Sequence, residues 1–214
     1  MLRKYKKGGE EAISITGKEN LEWQTGKVDY KDRCKIINQK GLVIWFTGIS
    51  GSGKSTIAIE LEKELAQIGK LVYRLDGDNI RYGLSSDLGF SEKDRNENIR
   101  RISEVAKLFK DAGIITLVSF ISPLKLMRRL AKEKIGKDAF IEVYVKASIE
   151  TCIKRDPKGM YKKAISGEIK NFTGISAQYE IPENPDIVID TENLTIKESM
   201  LIILNYIKEY IELV

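Results

Sequence analysis

The feature that most constrains the fold is a glycine-rich stretch between an apolar run and an amphipathic run. Residues 48–56 read G-I-S-G-S-G-K-S-T and follow residues 42–47, which are almost all apolar. This is the pattern G-x-x-x-x-G-K-[S/T] in its context of strand, loop and helix. Glycines let backbone N–H groups approach phosphate oxygens, and a helix start adds unpaired N–H groups. The stretch therefore predicts a site for a nucleoside triphosphate, with a simple turn before a helix as the alternative.

The residue types within this loop indicate separate tasks. Lys54 can reach the β- and γ-phosphates of ATP, and the Ser55 hydroxyl can ligate the accompanying Mg²⁺. The other candidates for ATP binding in the loop are Gly48, Ser50, Gly51, Ser52, Gly53 and Thr56.

The composition limits the remaining classes of protein. A length of 214 residues favours one domain, and a formal net charge of +5 is weak evidence for a nucleic-acid partner. The chain has no histidine, so a general base must be a carboxylate, a lysine or a polarised hydroxyl. Two cysteines exclude a disulfide framework and favour a reducing cytoplasm. No apolar run approaches the ~18 residues of a membrane span, so we expect no membrane partner.

Strand and helix patterns alternate over most of the chain. We divide the chain into two parts. Residues 1–40 form an arm that we expect to be partly disordered and to dock near Trp23, and residues 41–214 form a P-loop domain. The predicted strands are residues 42–47, 71–75, 114–120, 140–145 and 186–190. Alternation with helices predicts an α/β fold, a P-loop NTPase-type parallel sheet of about five strands with helices on both faces.

Polar residues follow the second predicted strand. Asp76, Gly77, Asp78 and Asn79 would lie at the carboxyl edge of the sheet, where open parallel sheets bind ligands. Either aspartate can accept a proton from an attacking hydroxyl or hold Mg²⁺. The alternative is an Asx turn that only shapes the backbone.

A second group of candidates surrounds the start of a helix near residue 94. Arg95 and Asn98 are three residues apart and share a helix face, where they and Arg81 can grip an anionic substrate. Phe90 can stack on a base. Taken singly, each arginine is more often a solvated surface residue than a ligand contact.

Ser122 follows the third predicted strand and has two interpretations. Its hydroxyl would lie at the ligand-binding edge of the sheet. It would also serve as the N-cap of a helix with Pro123 at the first helical position. The residues alone leave both open.

Residues 155–175 form a basic segment without hydrophobic periodicity, and we predict a lid. Kinases close such segments to exclude water, and basic side chains suit phosphates. Within the segment, we expect Phe172 to be exposed and able to close onto a base. The alternative to a lid is that the whole segment is an ordinary surface loop.

Several further segments match one known family together. They are residues 45–56, 75–81, 87–91, 94–101, 120–123, 155–159, 161–164 and 172–175, with a weaker match at 20–23. In this combination the chain resembles the adenylylsulfate kinases, which phosphorylate adenosine 5′-phosphosulfate (APS) on its 3′-hydroxyl.

The resemblance implies roles for individual residues. Asp76 would be the base for the 3′-hydroxyl and, together with Ser55, a metal contact. The rings of Phe90 and Phe172 would sandwich the adenine of APS. Arg155 would belong to the ATP site. Ser122 matches the position described in the family as a phosphoserine intermediate, although direct in-line transfer needs only positioning and charge neutralisation. Contacts to APS are implied for Asp76, Gly77, Asp78, Asn79, Arg81, Phe90, Arg95, Asn98, Ile121, Ser122, Gly159, Phe172 and Thr173.

The implied protein is a stand-alone, Mg²⁺-dependent transferase of sulfate assimilation in the cytoplasm. It would convert ATP and APS to ADP and 3′-phosphoadenosine 5′-phosphosulfate (PAPS), form a homodimer and pair functionally with ATP sulfurylase. Two alternatives remain: another small-molecule P-loop kinase, for a nucleoside or a sugar acid, and a non-catalytic nucleotide-binding module.

Overall fold

The computed structural model describes residues 3–7, 10–14, 21–22 and 24–213. The docking predicted for Trp23 lies outside the described residues. Within the predicted arm, β1 (Arg3–Lys7) and β2 (Glu10–Ser14) pair as antiparallel strands, with Lys7 opposite Glu10 in the register.

The main sheet has five parallel strands, as the alternation predicts. They are β3 (Leu42–Thr47), β4 (Val72–Asp76), β5 (Ile115–Ser119), β6 (Phe140–Lys146) and β7 (Ile187–Asp190). Their order in the sheet is β4-β5-β3-β6-β7, with every pairing parallel. The strand before the glycine-rich loop is therefore central, with β5 and β6 beside it and β4 on the far side of β5.

Eight α-helices connect and cover the strands in the described part of the chain. They are α1 (Tyr30–Ile37), α2 (Lys54–Gln67), α3 (Gly77–Tyr82), α4 (Glu92–Asp111), α5 (Lys125–Ile135), α6 (Ile149–Arg155), α7 (Met160–Ile165) and α8 (Ile196–Ile211). No described helix combines the length and the apolar character that a membrane crossing requires.

Strand β3 divides the hydrophobic core into two halves because its side chains alternate between the faces of the sheet. Leu42, Ile44 and Phe46 pack in one half with the buried faces of α2 and α8. Val43 and Trp45 pack in the other half with α4 and α5. All six residues of β3 are buried, as expected of a strand covered on both faces.

Two helix ends are well defined. Helix α2 ends at Gln67, and its C-cap Ile68 is exposed. The segment predicted as a lid contains a helix, α7. The start of α7 is fixed by Asp156, whose carboxylate accepts from the backbone N–H groups of Tyr161 and Lys162 at 3.1 Å each.

Candidate functional site

A cleft of about 630 Å³ lies where the carboxyl ends of β3, β4, β5 and β7 meet. Its volume is that of a typical small-molecule site. The predicted site residues that line it are Ser50, Gly51, Gly53, Lys54, Ser55, Thr56, Asp76, Gly77, Asp78, Arg81, Phe90, Arg95, Asn98, Ile121, Ser122 and Arg155. Six other candidates are not among the lining residues: Gly48, Ser52, Asn79, Gly159, Phe172 and Thr173.

The glycine-rich loop presents backbone N–H groups at the start of α2. Gly53 is the N-cap of this helix with φ 105°, and no side chain of the described residues caps it, which leaves its first N–H groups open to a ligand. Gly48 is needed for a different reason, because a Cβ there would lie 2.5 Å from the carbonyl oxygen of Val145. The loop is thus built to bring backbone, and not side chains, to an anion.

Lys54 is buried and folds back onto the loop. Its Nζ donates to the carbonyl oxygens of Gly48, at 2.9 Å, and Ile49, at 2.8 Å. Burial lowers the pKa of Lys54 to about 8, and the negative charge of Asp76 offsets this only in part. The folded protein therefore holds this ammonium poorly solvated and ready to exchange carbonyls for phosphate oxygens.

This arrangement predicts that ATP binding takes up a proton above about pH 8. At about pH 9, roughly nine-tenths of Lys54 is neutral in the free protein, and the phosphates raise its pKa again because they favour the charged form. Calorimetric titration of ATP in buffers of different ionisation enthalpy measures the uptake. Lys63→Met, at an exposed position, should leave it unchanged. A binding enthalpy independent of the buffer at this pH would contradict the prediction.

Asp76 forms the predicted turn, and its carboxylate also reaches the glycine-rich loop. Its Oδ1 accepts from the backbone N–H of Asp78 at 3.1 Å, which makes Asp76 the N-cap of α3. Its Oδ2 accepts from the Ser55 hydroxyl at 2.7 Å and lies 3.3 Å from Nη1 of Arg74. The turn therefore fixes the carboxylate, and the second oxygen faces the glycine-rich loop.

The oxygen atoms of Ser55 and Asp76 fit a Mg²⁺ ion that comes with a nucleotide. The described residues contain no group of three or more His, Cys, Asp and Glu side chains that could cage a metal. Mg²⁺ in nucleotide sites instead takes one or two protein oxygens and fills its other positions with phosphates and water. One hydroxyl hydrogen-bonded to one carboxylate matches that donor set.

Asp78 does not face the loop in the same way. Its carboxylate forms an ion pair with Lys158, which belongs to the segment predicted as a lid. The two aspartates that sequence reasoning treated alike are thus separated, with Asp76 beside the helix start and Asp78 tied to the far wall of the cleft.

The other end of the cleft contains an exposed aromatic ring held by two arginines. Phe90 is 58% exposed, and the guanidinium carbon of Arg81 lies 4.4 Å from the centre of its ring. Arg81 also donates to the carbonyl oxygens of Leu88 and Gly89, and Arg95 Nε donates to that of Phe90 at 3.0 Å. These bonds order the turn, and more than half of the Phe90 side chain stays accessible.

Asn98 is the most informative side chain at this end. It is 4% exposed and lines the cleft, yet its Oδ1 has no hydrogen-bond partner among the described residues. Leaving a buried acceptor unpaired is costly, so native proteins rarely do it unless a ligand or water completes the bond. The position indicates a ligand contact.

Ser122 does not cap a helix, so that interpretation is wrong. The next helix, α5, begins at Lys125 with Leu124 as its N-cap, and the backbone of Ser122 lies in the left-handed region, unlike the extended backbone of an N-cap. Ser122 is buried with φ 44° and lines the cleft. Its Oγ accepts from Trp45 Nε1 at 3.0 Å, and its carbonyl oxygen accepts from Arg128 at 2.7 Å. Core side chains thus hold the turn in a left-handed conformation.

The exposure expected of Phe172 is also wrong. Its ring is 8% exposed and packs edge-on against Tyr161, with ring centres 4.9 Å apart. The polar residues around Phe172 predict an exposed ring. In the structure the segment instead folds over Phe172 and Tyr161 and buries both. The neighbouring Asn171 and Thr173 accept from Arg95, at 2.7 Å and 3.2 Å. Phe172 therefore lies behind the wall of the cleft.

Several residues of the cleft were missed by sequence reasoning. Arg155 donates to the hydroxyl and carbonyl oxygens of Thr191, which in turn donates to the carbonyl of Ser52 at 2.9 Å. Thr191 follows β7 directly, so the rule that ligands bind at the carboxyl ends of parallel strands could have found it. The other missed lining residues near it are Leu194, Ile196 and Ser199.

Comparisons with known proteins agree on one family. A family model described as "Adenylylsulphate kinase" matches residues 40–190. The adenylyl-sulfate kinase of Clostridium acetobutylicum is 57% identical over 191 residues, which cover 89% of this chain and 95% of that protein. That of Staphylococcus epidermidis is 56% identical, covering 89% and 96%. A Mycobacterium tuberculosis APS kinase, solved in complex with AMPPNP and APS, has a TM-score of 0.76 and 46% identity, covering 79% of this chain and 98% of its own.

Proposed function

The chain belongs to the adenylylsulphate kinase family, and from this premise we propose that it transfers the γ-phosphate of ATP to the 3′-hydroxyl of APS, giving ADP and PAPS. The observation that carries the proposal is one cleft with two different ends. A phosphate-binding loop forms one end, and an exposed aromatic ring with a buried unpaired acceptor forms the other. The cleft therefore suits a triphosphate donor facing a second nucleotide.

The donor end binds ATP through backbone and charge. The open N–H groups at the start of α2 receive the β- and γ-phosphates, and Lys54 leaves the carbonyls of Gly48 and Ile49 to follow them. Arg155, anchored on Thr191, borders the rest of the nucleotide. Ser55 and Asp76 would hold the Mg²⁺ ion, which supplies neutralisation of the phosphate charge when bound.

The acceptor end binds APS through a base-stacking ring and polar groups. Phe90 offers its exposed ring to the adenine. Asn98 completes its unpaired Oδ1 with a donor of the substrate, and Arg81 and Arg95 attract the phosphosulfate charge. Phe172 is buried in the structure and would reach the base only if its segment moved. We therefore assign it a packing role in the wall of the cleft.

Transfer then follows from position and charge. Asp76 Oδ2 accepts the proton of the 3′-hydroxyl, whose oxygen bonds to the γ-phosphorus. The bond from that phosphorus to the β,γ-bridging oxygen breaks, and ADP leaves with the electron pair. The Ser55 hydroxyl and Arg74 hold the carboxylate in place from two sides. A direct transfer of this kind needs no covalent intermediate on the protein.

The test of this function is an ADP-release assay with a panel of acceptors. We expect release to rise by orders of magnitude with APS and to stay at the ATPase background with sugar acids and nucleosides. A product carrying the new phosphate on the 3′-oxygen confirms the site of transfer. No stimulation by APS would sink the proposal, and stimulation by another acceptor would favour a different small-molecule kinase.

Replacing Ser122 with alanine separates a phosphoserine intermediate from a structural contact. We expect kcat within about fivefold of the wild-type value, whereas the free energy of unfolding falls by about 1–3 kcal/mol because the buried Trp45 N–H loses its acceptor. Steady-state kinetics and urea denaturation measure the two quantities.

The matched control is Ser85→Ala. Ser85 is equally buried, but its Oγ has no partner among the described residues, so stability should change little. Loss of turnover by about 10³-fold or more in Ser122→Ala would instead require the covalent intermediate.

Assembly and cellular context remain proposals that rest on the resemblance. We propose a homodimer that works in the cytoplasm beside ATP sulfurylase, which would supply APS. A hexameric APS kinase of Thiobacillus denitrificans is 33% identical to this chain. The oligomeric states to be tested therefore include assemblies larger than a dimer. Sedimentation equilibrium of the full chain distinguishes monomer, dimer and hexamer.

A further inference from the structure

One hydroxyl in the predicted lid bonds directly to the phosphate-binding loop. Tyr161 is 1% exposed, although it lies in a polar and basic segment. Its OH donates to the carbonyl oxygen of Ser50 at 2.8 Å, across 111 residues of sequence. Burial raises the pKa of Tyr161, so the hydroxyl stays a donor. We propose that this hydroxyl couples the occupancy of the ATP site to the occupancy of the acceptor site, a proposal that rests on the proposed function.

The contacts of Tyr161 continue without a gap to the acceptor end. Its ring packs edge-on against Phe172 at 4.9 Å. Asn171 and Thr173, on either side of Phe172, accept hydrogen bonds from the two terminal nitrogens of Arg95. Arg95 Nε in turn donates to the carbonyl of Phe90, the ring that we assign to the adenine. A continuous path of bonded and packed groups therefore joins the loop that binds ATP to the turn that binds APS.

In this proposal, the segment of residues 156–174 exchanges between a docked and an undocked state. In the structure it is docked on the body of the protein, through Tyr161 on the loop, through Lys158 on Asp78 and through Asn171 and Thr173 on Arg95. A ligand that orders the loop favours the docked state at one end, and a ligand that orders Arg95 favours it at the other. Because both ligands bias one equilibrium, each must strengthen the binding of the other by the same factor.

The geometry makes Tyr161 a positioning residue, since its hydroxyl orders the loop through a backbone carbonyl. Asp156 accepts from the backbone N–H of Tyr161, which fixes where the ring emerges from α7. A phenylalanine would keep the packing on Phe172 and lose the bond to Ser50, together with the contact between the hydroxyl and the Cys152 thiol. The change Tyr161→Phe therefore removes the connection and leaves both sites intact.

The experiment titrates APS into the full chain with and without saturating AMPPNP and Mg²⁺. In the wild-type protein we expect APS to bind about 5- to 50-fold more tightly when AMPPNP is present. In Tyr161→Phe we expect that ratio to fall about 3- to 10-fold, with the affinity for APS alone within about twofold of wild type. The control Tyr144→Phe, at a half-buried tyrosine outside the cleft, should keep the wild-type ratio.

Each other outcome overturns the coupling in a recognisable way. An unchanged ratio in Tyr161→Phe, or a wild-type ratio of one, overturns it while leaving the proposed function in place. Equal weakening of APS with and without AMPPNP assigns Tyr161 a purely structural role and also overturns it. Absence of APS binding to the wild-type chain overturns the proposed function, and the coupling with it. The thermal midpoint of each variant, measured in parallel, identifies a variant that has lost its fold.

Discussion

Replacing Asp76 with asparagine is expected to lower kcat with APS by about 10²- to 10⁴-fold, the contribution of a positioned general base. Through its single amide oxygen, asparagine can still accept from the N–H of Asp78, so the start of α3 and its turn are retained, while its NH₂ group can donate to the Ser55 hydroxyl oxygen. What is lost is the negative charge and the ability to take a proton from the 3′-hydroxyl. Initial rates of ADP release at saturating ATP and APS measure the effect.

The control for this variant is Asp111→Asn. Asp111 pairs with Arg33 at the surface, outside the cleft, and its loss should leave kcat unchanged. The assignment of the base is wrong if Asp76→Asn keeps more than about a tenth of wild-type turnover, since a residue that takes the proton contributes at least 10²-fold.

Replacing Lys54 with methionine should separate activity from stability. We expect kcat/KM for ATP to fall by about 10²- to 10³-fold, as when one preorganised charge-stabilising donor is removed from a site of phosphoryl transfer. The thermal midpoint should not fall, because the folded protein no longer has to hold a desolvated ammonium. The pKa of Lys54, lowered to about 8, corresponds to a penalty of roughly 3 kcal/mol in the charged form.

The sign of this effect depends on pH. A lysine whose pKa is lower in the folded than in the unfolded protein costs stability while it is charged, and the cost disappears as the pH rises from about 8 to about 10. The increase in thermal midpoint of Lys54→Met over wild type should therefore be largest at about pH 7 and vanish at about pH 10. Lys63→Met, at an exposed position, should show neither effect. A midpoint that drops at neutral pH would show that the lysine stabilises the loop.

The sheet could be predicted from the sequence because its information is local. The apolar run of β3, the glycine-rich loop and the periodic faces of α2 and α8 each identify themselves within about fifteen residues. The rule that parallel sheets bind ligands at the carboxyl ends of their strands then predicts that Lys54, Asp76 and Ser122 lie at one edge, and all three line the same cleft.

What could not be predicted depends on partners far away in the chain. Phe172 is buried because Tyr161 and the ordered segment surround it, and nothing in its own neighbourhood indicates this. The left-handed turn at Ser122 is held by Trp45 and Arg128, one of them 77 residues distant, whereas local preference alone suggests a helix cap. The separation of Asp78 from Asp76 likewise follows from an ion pair with Lys158.

The bond from Trp45 to Ser122 has a consequence for protein engineering. The ring of Trp45 stacks with Phe120 and Phe140 in the core, while its N–H reaches the serine that lines the cleft. A thermostabilised variant obtained by repacking this half of the core would therefore shift the acceptor site as well. Libraries that seek a more robust enzyme should keep Trp45 fixed and draw their diversity from the half of the core beneath α2 and α8.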